Sequence, residues 1–308
     1  MNRRATLAFA LIGFLWGSAW IPTTEVLKQT PQLRAGALRF SIAAVFTALL
    51  ALIARLRHRT TSTRFSAALF RDALVLSLTV LAVPYAIIIR ASPHLSPAVI
   101  PVLFAFMPLI ALLMSGEIAS SAIPSLAIGI SGVTLLVAPA LSFTLTQLGR
   151  ALIVLCAVVL GAFSLNYAKK QLRTRDLLLS SSIQFAFAAF LLGAVSLATE
   201  RSRVFAPNSA TVFPILILGV LISGVSLPLL YWLLTSLEAW QTALLQWIST
   251  LIAVAEAAWL LRARPSTGQI VGAVFIIGAA VWLLSRATLV TSPATSLQFE
   301  APPHRSLK

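Results

Sequence analysis

Ten apolar runs, each close to 20 residues long and separated by short charged or turn-rich segments, dominate this sequence. A helix rises 1.5 Å per residue, so about 20 residues cross a hydrocarbon core of roughly 30 Å. No water reaches the backbone inside that core, and a continuous apolar run satisfies its own N–H and C=O groups there only as a helix. The runs fall near 7–27, 35–54, 73–91, 97–116, 122–140, 149–168, 177–198, 211–235, 239–261 and 268–285. Composition agrees, with 59% hydrophobic and 10% charged residues and a mean hydropathy of +0.95. Soluble domains carry about 25% charged residues. The expected fold class is an all-α membrane protein of ten transmembrane helices.

A net charge of +15 would point to nucleic acid in a soluble protein. Here the basic residues cluster in short segments beside the runs, where they set orientation, and no nucleic-acid partner is expected. With the N-terminus inside, 14 of the 23 Lys and Arg fall on the cytoplasmic side, including Arg55, Arg57, Arg59, Arg64 and Arg71 and then Lys169, Lys170, Arg173 and Arg175. Both termini are therefore expected in the cytoplasm. The opening MNRRATLAFALIGFLWG has the basic start of a signal peptide. Its one A-x-A, Ala8 to Ala10, follows Arg4 too closely to leave an apolar region before cleavage, so it reads as an uncleaved first span. Residues 288–308 gain Ser, Thr and Pro and read as a disordered cytoplasmic tail. A single cysteine, Cys156, excludes an intramolecular disulfide.

Five spans per half inserts a second copy upside down, the ground plan of many secondary transporters. A shift of 144 residues carries Gly17 onto Gly161 and Pro84 onto Pro228, and a shift of 146 carries Gly132 onto Gly278. The expected domains are residues 1–142 (spans 1–5) and 143–287 (spans 6–10), as inverted repeats. Eight Asp and Glu and three His, nearly all at span ends or in loops, leave little for catalysis, and no HExxH, GxSxG or Walker-type loop occurs. The chain is read as no enzyme, with no cofactor and no metal.

Several segments resemble a known family. LIGFLWGSAWIPTTEVL followed by PQLRAGALRF is similar to the first two spans of the EamA-type transporters of the drug/metabolite transporter superfamily, through Trp16, Gly17 and Arg39. AVIPVLFAFMPLIALLMSGE resembles their span 4, with Pro108 in mid-helix and Gly116 and Glu117 at its end. LLRARPSTGQIVGAVFIIGAAVWLL resembles the junction of spans 9 and 10. The resemblance covers residues 6 to 286. It implies a bacterial inner-membrane protein that exports small metabolites, such as amino acids, by alternating access. A lipid or lipid-carrier flippase is the alternative, and protons are a candidate partner. A monomer and a homodimer both remain open. In the second half Arg262 and Ala263 stand where a second Gly-Glu is expected.

Within span 9 the residues Thr242, Gln246, Ser249, Ala253 and Glu256 share one helical face, and four of the five are polar. Scattered Ser and Thr also serve as interhelical glue. A carboxylate in mid-span needs water or a partner, which favours a lane along an aqueous cavity. Without a cation nearby Glu256 is a proton-exchange candidate. Beside one it is a substrate contact or a brace. Further cavity candidates are Trp16, Trp20 and Thr24, at four-residue spacing in span 1, with Tyr85, Asn166, Gln184 and Tyr231. Trp and Tyr equally serve as interface belts. Arg39, Pro84, Pro108, Glu117 and Pro228 are read as structural or gating residues, with Glu256 or Glu25 the expected partner of Arg39. The prolines free carbonyls within their helices.

Overall fold

The computed structural model describes residues 3–58, 66–95, 98–116, 120–141, 144–173, 175–200, 209–262 and 264–290. Among them no strand occurs, and the chain forms ten apolar segments. These are α1 (Arg3–Gln29), α2 (Gln32–Arg57), α3 (Ala67–His94), α4 (Val99–Ser115), α5 (Ile123–Ala140), α6 (Leu148–Gln171), α7 (Leu177–Thr199), α8 (Thr211–Leu233), α9 (Ala239–Leu260) and α10 (Thr267–Ser285). Nine are long and apolar enough to span a bilayer, and α4 is shorter. The helix of α10 continues to Val290, past the expected start of the tail at 288. Residues 291–308 and Glu117 lie outside the described residues.

Prolines explain most departures from α geometry. A proline ring lacks an N–H and crowds the carbonyl four residues earlier. Pro22 breaks α1 at Ser18–Ala19, and Pro108 breaks α4 at Ala105–Phe106. Before Pro84 the stretch Ser77–Ala82 widens to π-helix, and before Pro228 the stretch Leu218–Val225 does the same. A wider turn of this kind accommodates the ring while keeping the chain helical. The helix α9 is broken at Leu244, between Ala239–Ala243 and Leu245–Leu260. Fully buried Trp247, just past that break, donates its indole N–H to Ala105 O at 3.0 Å and so joins the breaks of α4 and α9.

The most extensive helix pairs are preserved when each helix n is exchanged with n+5, whereas α6·α9 and α5·α9 have no comparable counterpart in α1·α4 and α4·α10. The pair α1·α9 maps onto α6·α4, α2·α8 onto α7·α3, and α3·α6 onto α8·α1. The pairs α2·α7, α4·α9 and α5·α10 map onto themselves. Helices α5 and α10 cross backbone to backbone: a Cβ added at Gly272 would sit 2.6 Å from Gly132 O, and one at Gly132 would sit 2.8 Å from Gly272 O. Gly132 thus packs against Gly272, whereas a Cβ added at Gly278 would meet nothing within 4 Å. The termination of α4 and α9 is also shared. Gly116 ends α4 at φ 74°, and Arg262, 146 residues later, ends α9 at φ 51°. The arginine takes the left-handed conformation that the glycine takes in the first half.

Polar contacts tie the connections together at each end of the bundle. At one end Asp72, whose side chain is fully buried, accepts from Arg71 at 3.0 and 3.2 Å, from Tyr167 at 2.9 Å and from Arg175 at 3.3 Å. Lys169 pairs with Glu238 at 3.0 Å and donates to Leu237 O, and Arg55 lies 3.8 Å from Asp176. At the other end Glu200 accepts from the backbone N–H groups of Leu33 and Arg34 at the start of α2, and from Ser196. A carboxylate at a helix N-terminus completes unsatisfied amides and complements the helix dipole.

A central cavity with one guanidinium

A cavity of about 570 Å³ lies where eight of the ten helices converge, all but α5 and α10. Its wall is mostly apolar and aromatic, from Trp16, Trp20, Phe40, Tyr85, Phe104 and Phe185. Hydroxyl and amide groups come from Thr23, Ser164, Ser223, Thr242, Gln246, Ser249 and Thr250. The cavity stops short of the Asp72 network, at Leu165, Leu230 and Tyr231, and extends toward the other end, where Trp20 is 36% exposed.

Arg39 is the charged side chain among the described lining residues. Its Nε donates to Ser223 Oγ at 2.7 Å, and its guanidinium carbon stands 5.6 Å from the Phe40 ring centre. Ser223 belongs to the widened stretch of α8 before Pro228. Phe40 is held in turn by Tyr85, edge-on at 5.7 Å, and by Phe185, stacked at 5.9 Å. The expected ion pairs of Arg39 are absent among the described residues, because Glu25 pairs with Lys28 at 2.6 Å and Glu256 faces α1. Arg39 therefore stands in the cavity wall instead of bracing two helix ends.

Only part of the polar face of α9 reaches the cavity. Thr242, Gln246 and Ser249 line the cavity together with Thr250, while Glu256 does not. Glu256 Oε1 accepts from Ser18 Oγ at the break of α1, and Oε2 is buried with no hydrogen-bond partner among the described residues. Trp16, Trp20, Tyr85, Tyr231 and Pro84 reach the cavity, whereas Pro108 and Pro228 shape their helices from outside it. The break at Ser18–Ala19 rotates α2-proximal residues of α1 so that Thr23 lines the cavity and Thr24 is exposed, bonded to Ile21 O. Asn166 ties α6 to α4 through Ala111 O at 3.0 Å. Gln184 is fully buried behind the wall, accepting from Tyr231 at 2.6 Å and donating to Ser180 at 3.0 Å.

Sequence reasoning left out Ser223, Thr250, Ser164 and Asp72. Only Asp72 carried a signal, an acid beside an arginine at the start of an apolar run. The others are small hydroxyl residues that look like ordinary helix surface until their neighbours are placed.

Residues 148–285 match the EamA-like transporter family. Protein PagO of Salmonella typhimurium is 24% identical over 294 residues, covering 93% of this chain and 95% of PagO. A solved crystal structure superposes with a TM-score of 0.77 at 16% identity, covering 95% of this chain and 100% of the other, which establishes a common fold.

Proposed function

We propose that this chain, whose residues 148–285 form an EamA-like transporter domain, is a secondary transporter of small metabolites, amino acids or related compounds, acting in export across the bacterial inner membrane. The observation that carries the reading is the cavity of about 570 Å³ at the meeting point of eight helices, a volume suited to a small solute. Residues 1–142 and 143–287 act as inverted repeats, in keeping with the exchange symmetry of the most extensive helix pairs. Transport proceeds by alternating access as one repeat rocks against the other.

The Asp72, Lys169–Glu238 and Arg55–Asp176 contacts hold one end shut, and the cavity extends toward the other. The basic clusters near the shut end support a cytoplasmic location for it, by the positive-inside rule. The broken and widened helices around the cavity supply deformable points at which such a bundle can bend. A flippase would need a basic groove with aliphatic walls; among the described lining residues this cavity has one guanidinium, Arg39, in a wall that mixes aliphatic side chains with aromatic rings and hydroxyls.

Proteoliposomes loaded with a panel of labelled amino acids and organic acids test the reading. Saturable flux is expected for at least one solute, and Ala243→Trp, filling the cavity wall, should abolish it. Absence of flux for every solute, with translocation of a labelled lipid instead, would replace this reading with the flippase.

A further inference from the structure

We infer that Arg39 is the receptor for a carboxylate, and that the cavity takes organic acids with an apolar body in preference to the matching amides and amines. This rests on the transporter reading and narrows it to a substrate class. A guanidinium carries five N–H donors in a planar fork. In Arg39 the Nε donor is used by Ser223, and the four N–H groups on the two terminal nitrogens meet no acceptor among the described residues. Four unsatisfied donors and a full charge at membrane depth are costly unless water or an anion meets them. Ser223 and the Phe40 ring fix the plane of the fork without occupying its outer edge. That edge matches the two oxygens of a carboxylate, the bidentate arrangement at which arginine excels.

The acids of the protein supply the converse argument. Glu25 is taken by Lys28, Asp72 by Arg71, Arg175 and Tyr167, Asp176 by Arg55 and the Leu179 amide, and Glu238 by Lys169. Glu200 caps α2, and Glu256 accepts from Ser18. None of these six lines the cavity. Arg39 thus has no resident counterion among the described residues, and an ammonium group entering the cavity meets aromatic faces and hydroxyls but no carboxylate. The remainder of the wall, with Trp16, Phe104 and Phe185, suits an aliphatic or aromatic body.

The test uses three solutes of one shape, 3-phenylpropionate, 3-phenylpropanamide and 3-phenylpropylamine, as competitors and substrates for the reconstituted full-length protein at neutral pH. The wild type is expected to bind the acid about tenfold or more tightly than the amide and the amine. Arg39→Gln should abolish the preference, and Arg39→Lys should retain part of it, since lysine keeps the charge but not the fork. Equal affinity for all three in the wild type, or a preference for the amine, overturns the proposal, and this comparison stands even if Arg39→Gln fails to fold. An unchanged acid preference in folded Arg39→Gln overturns it as well. Saturable transport of the amide or amine in that case would leave the transporter reading intact and remove only the carboxylate site.

Discussion

Asp72→Asn should shift the balance between the two access states. The carboxylate is fully buried and joins α3, the end of α6 and the connection to α7 at the shut end. Asparagine can still accept from Tyr167 and Arg71 through one oxygen. Its amide nitrogen, however, faces the Arg175 guanidinium, placing donor against donor. A hydrogen bond to a charged group contributes about 1.5–3 kcal/mol. Arg175 is 28% exposed, and water weakens the bond, so a loss of about 2 kcal/mol is expected. In the alternating-access account that bond must break whenever this end opens. A loss of about 2 kcal/mol then raises the population open at this end about thirtyfold while that population is the minority. The assay is labelling of Ala243→Cys, in a Cys156→Ser background, by a membrane-impermeant maleimide applied from one side at a time. Ala243 lines the cavity, so its labelling reports access to it. Labelling from the Asp72 end should accelerate about thirtyfold on adding Asp72→Asn. An unchanged rate from that end in a folded protein refutes the assignment of this network as the closure.

Three further outcomes are expected. Arg262→Gly should raise thermal stability in detergent by about 1 kcal/mol, because the residue ends α9 at φ 51°, where a side chain is strained; a loss of stability would contradict this. Gly272→Ala should destabilise by about 1–3 kcal/mol by forcing α5 and α10 apart, whereas Gly278→Ala, with open space around the new methyl, should not; equal melting temperatures for the two would contradict the close crossing. Glu256→Gln should leave solute affinity at the wild-type level, since Glu256 lies outside the cavity; a tenfold loss of affinity would bring Glu256 into the binding site.

The spans were legible because the bilayer reduces the problem to length and hydropathy, and all ten apolar segments lie within a few residues of their expected places. The proline-bearing helices were legible for a local reason: each departure from α geometry lies within ten residues before its ring. The cavity wall was partly legible from aromatic and polar residues inside spans, as with Trp16, Tyr85 and Gln246. What remained hidden depends on contacts far apart in the chain. Arg39 meets Ser223 and Glu256 meets Ser18, pairs separated by 184 and 238 residues, and no periodicity within one helix discloses such a partner. Glu256 shares the unbroken segment Leu245–Leu260 with Gln246 and Ser249, but it lies seven residues past Ser249, beyond the cavity and against Ser18.

Counterflow tests the central claim most directly. Vesicles holding the protein and a high internal concentration of unlabelled 3-phenylpropionate are diluted into a trace of the labelled acid. A carrier with one cavity that faces the two sides in turn predicts transient accumulation of label above its equilibrium level, followed by decay, and loss of the overshoot in Ala243→Trp. Label that only equilibrates, at a rate indifferent to the unlabelled acid inside, would contradict alternating access and indicate an open pore.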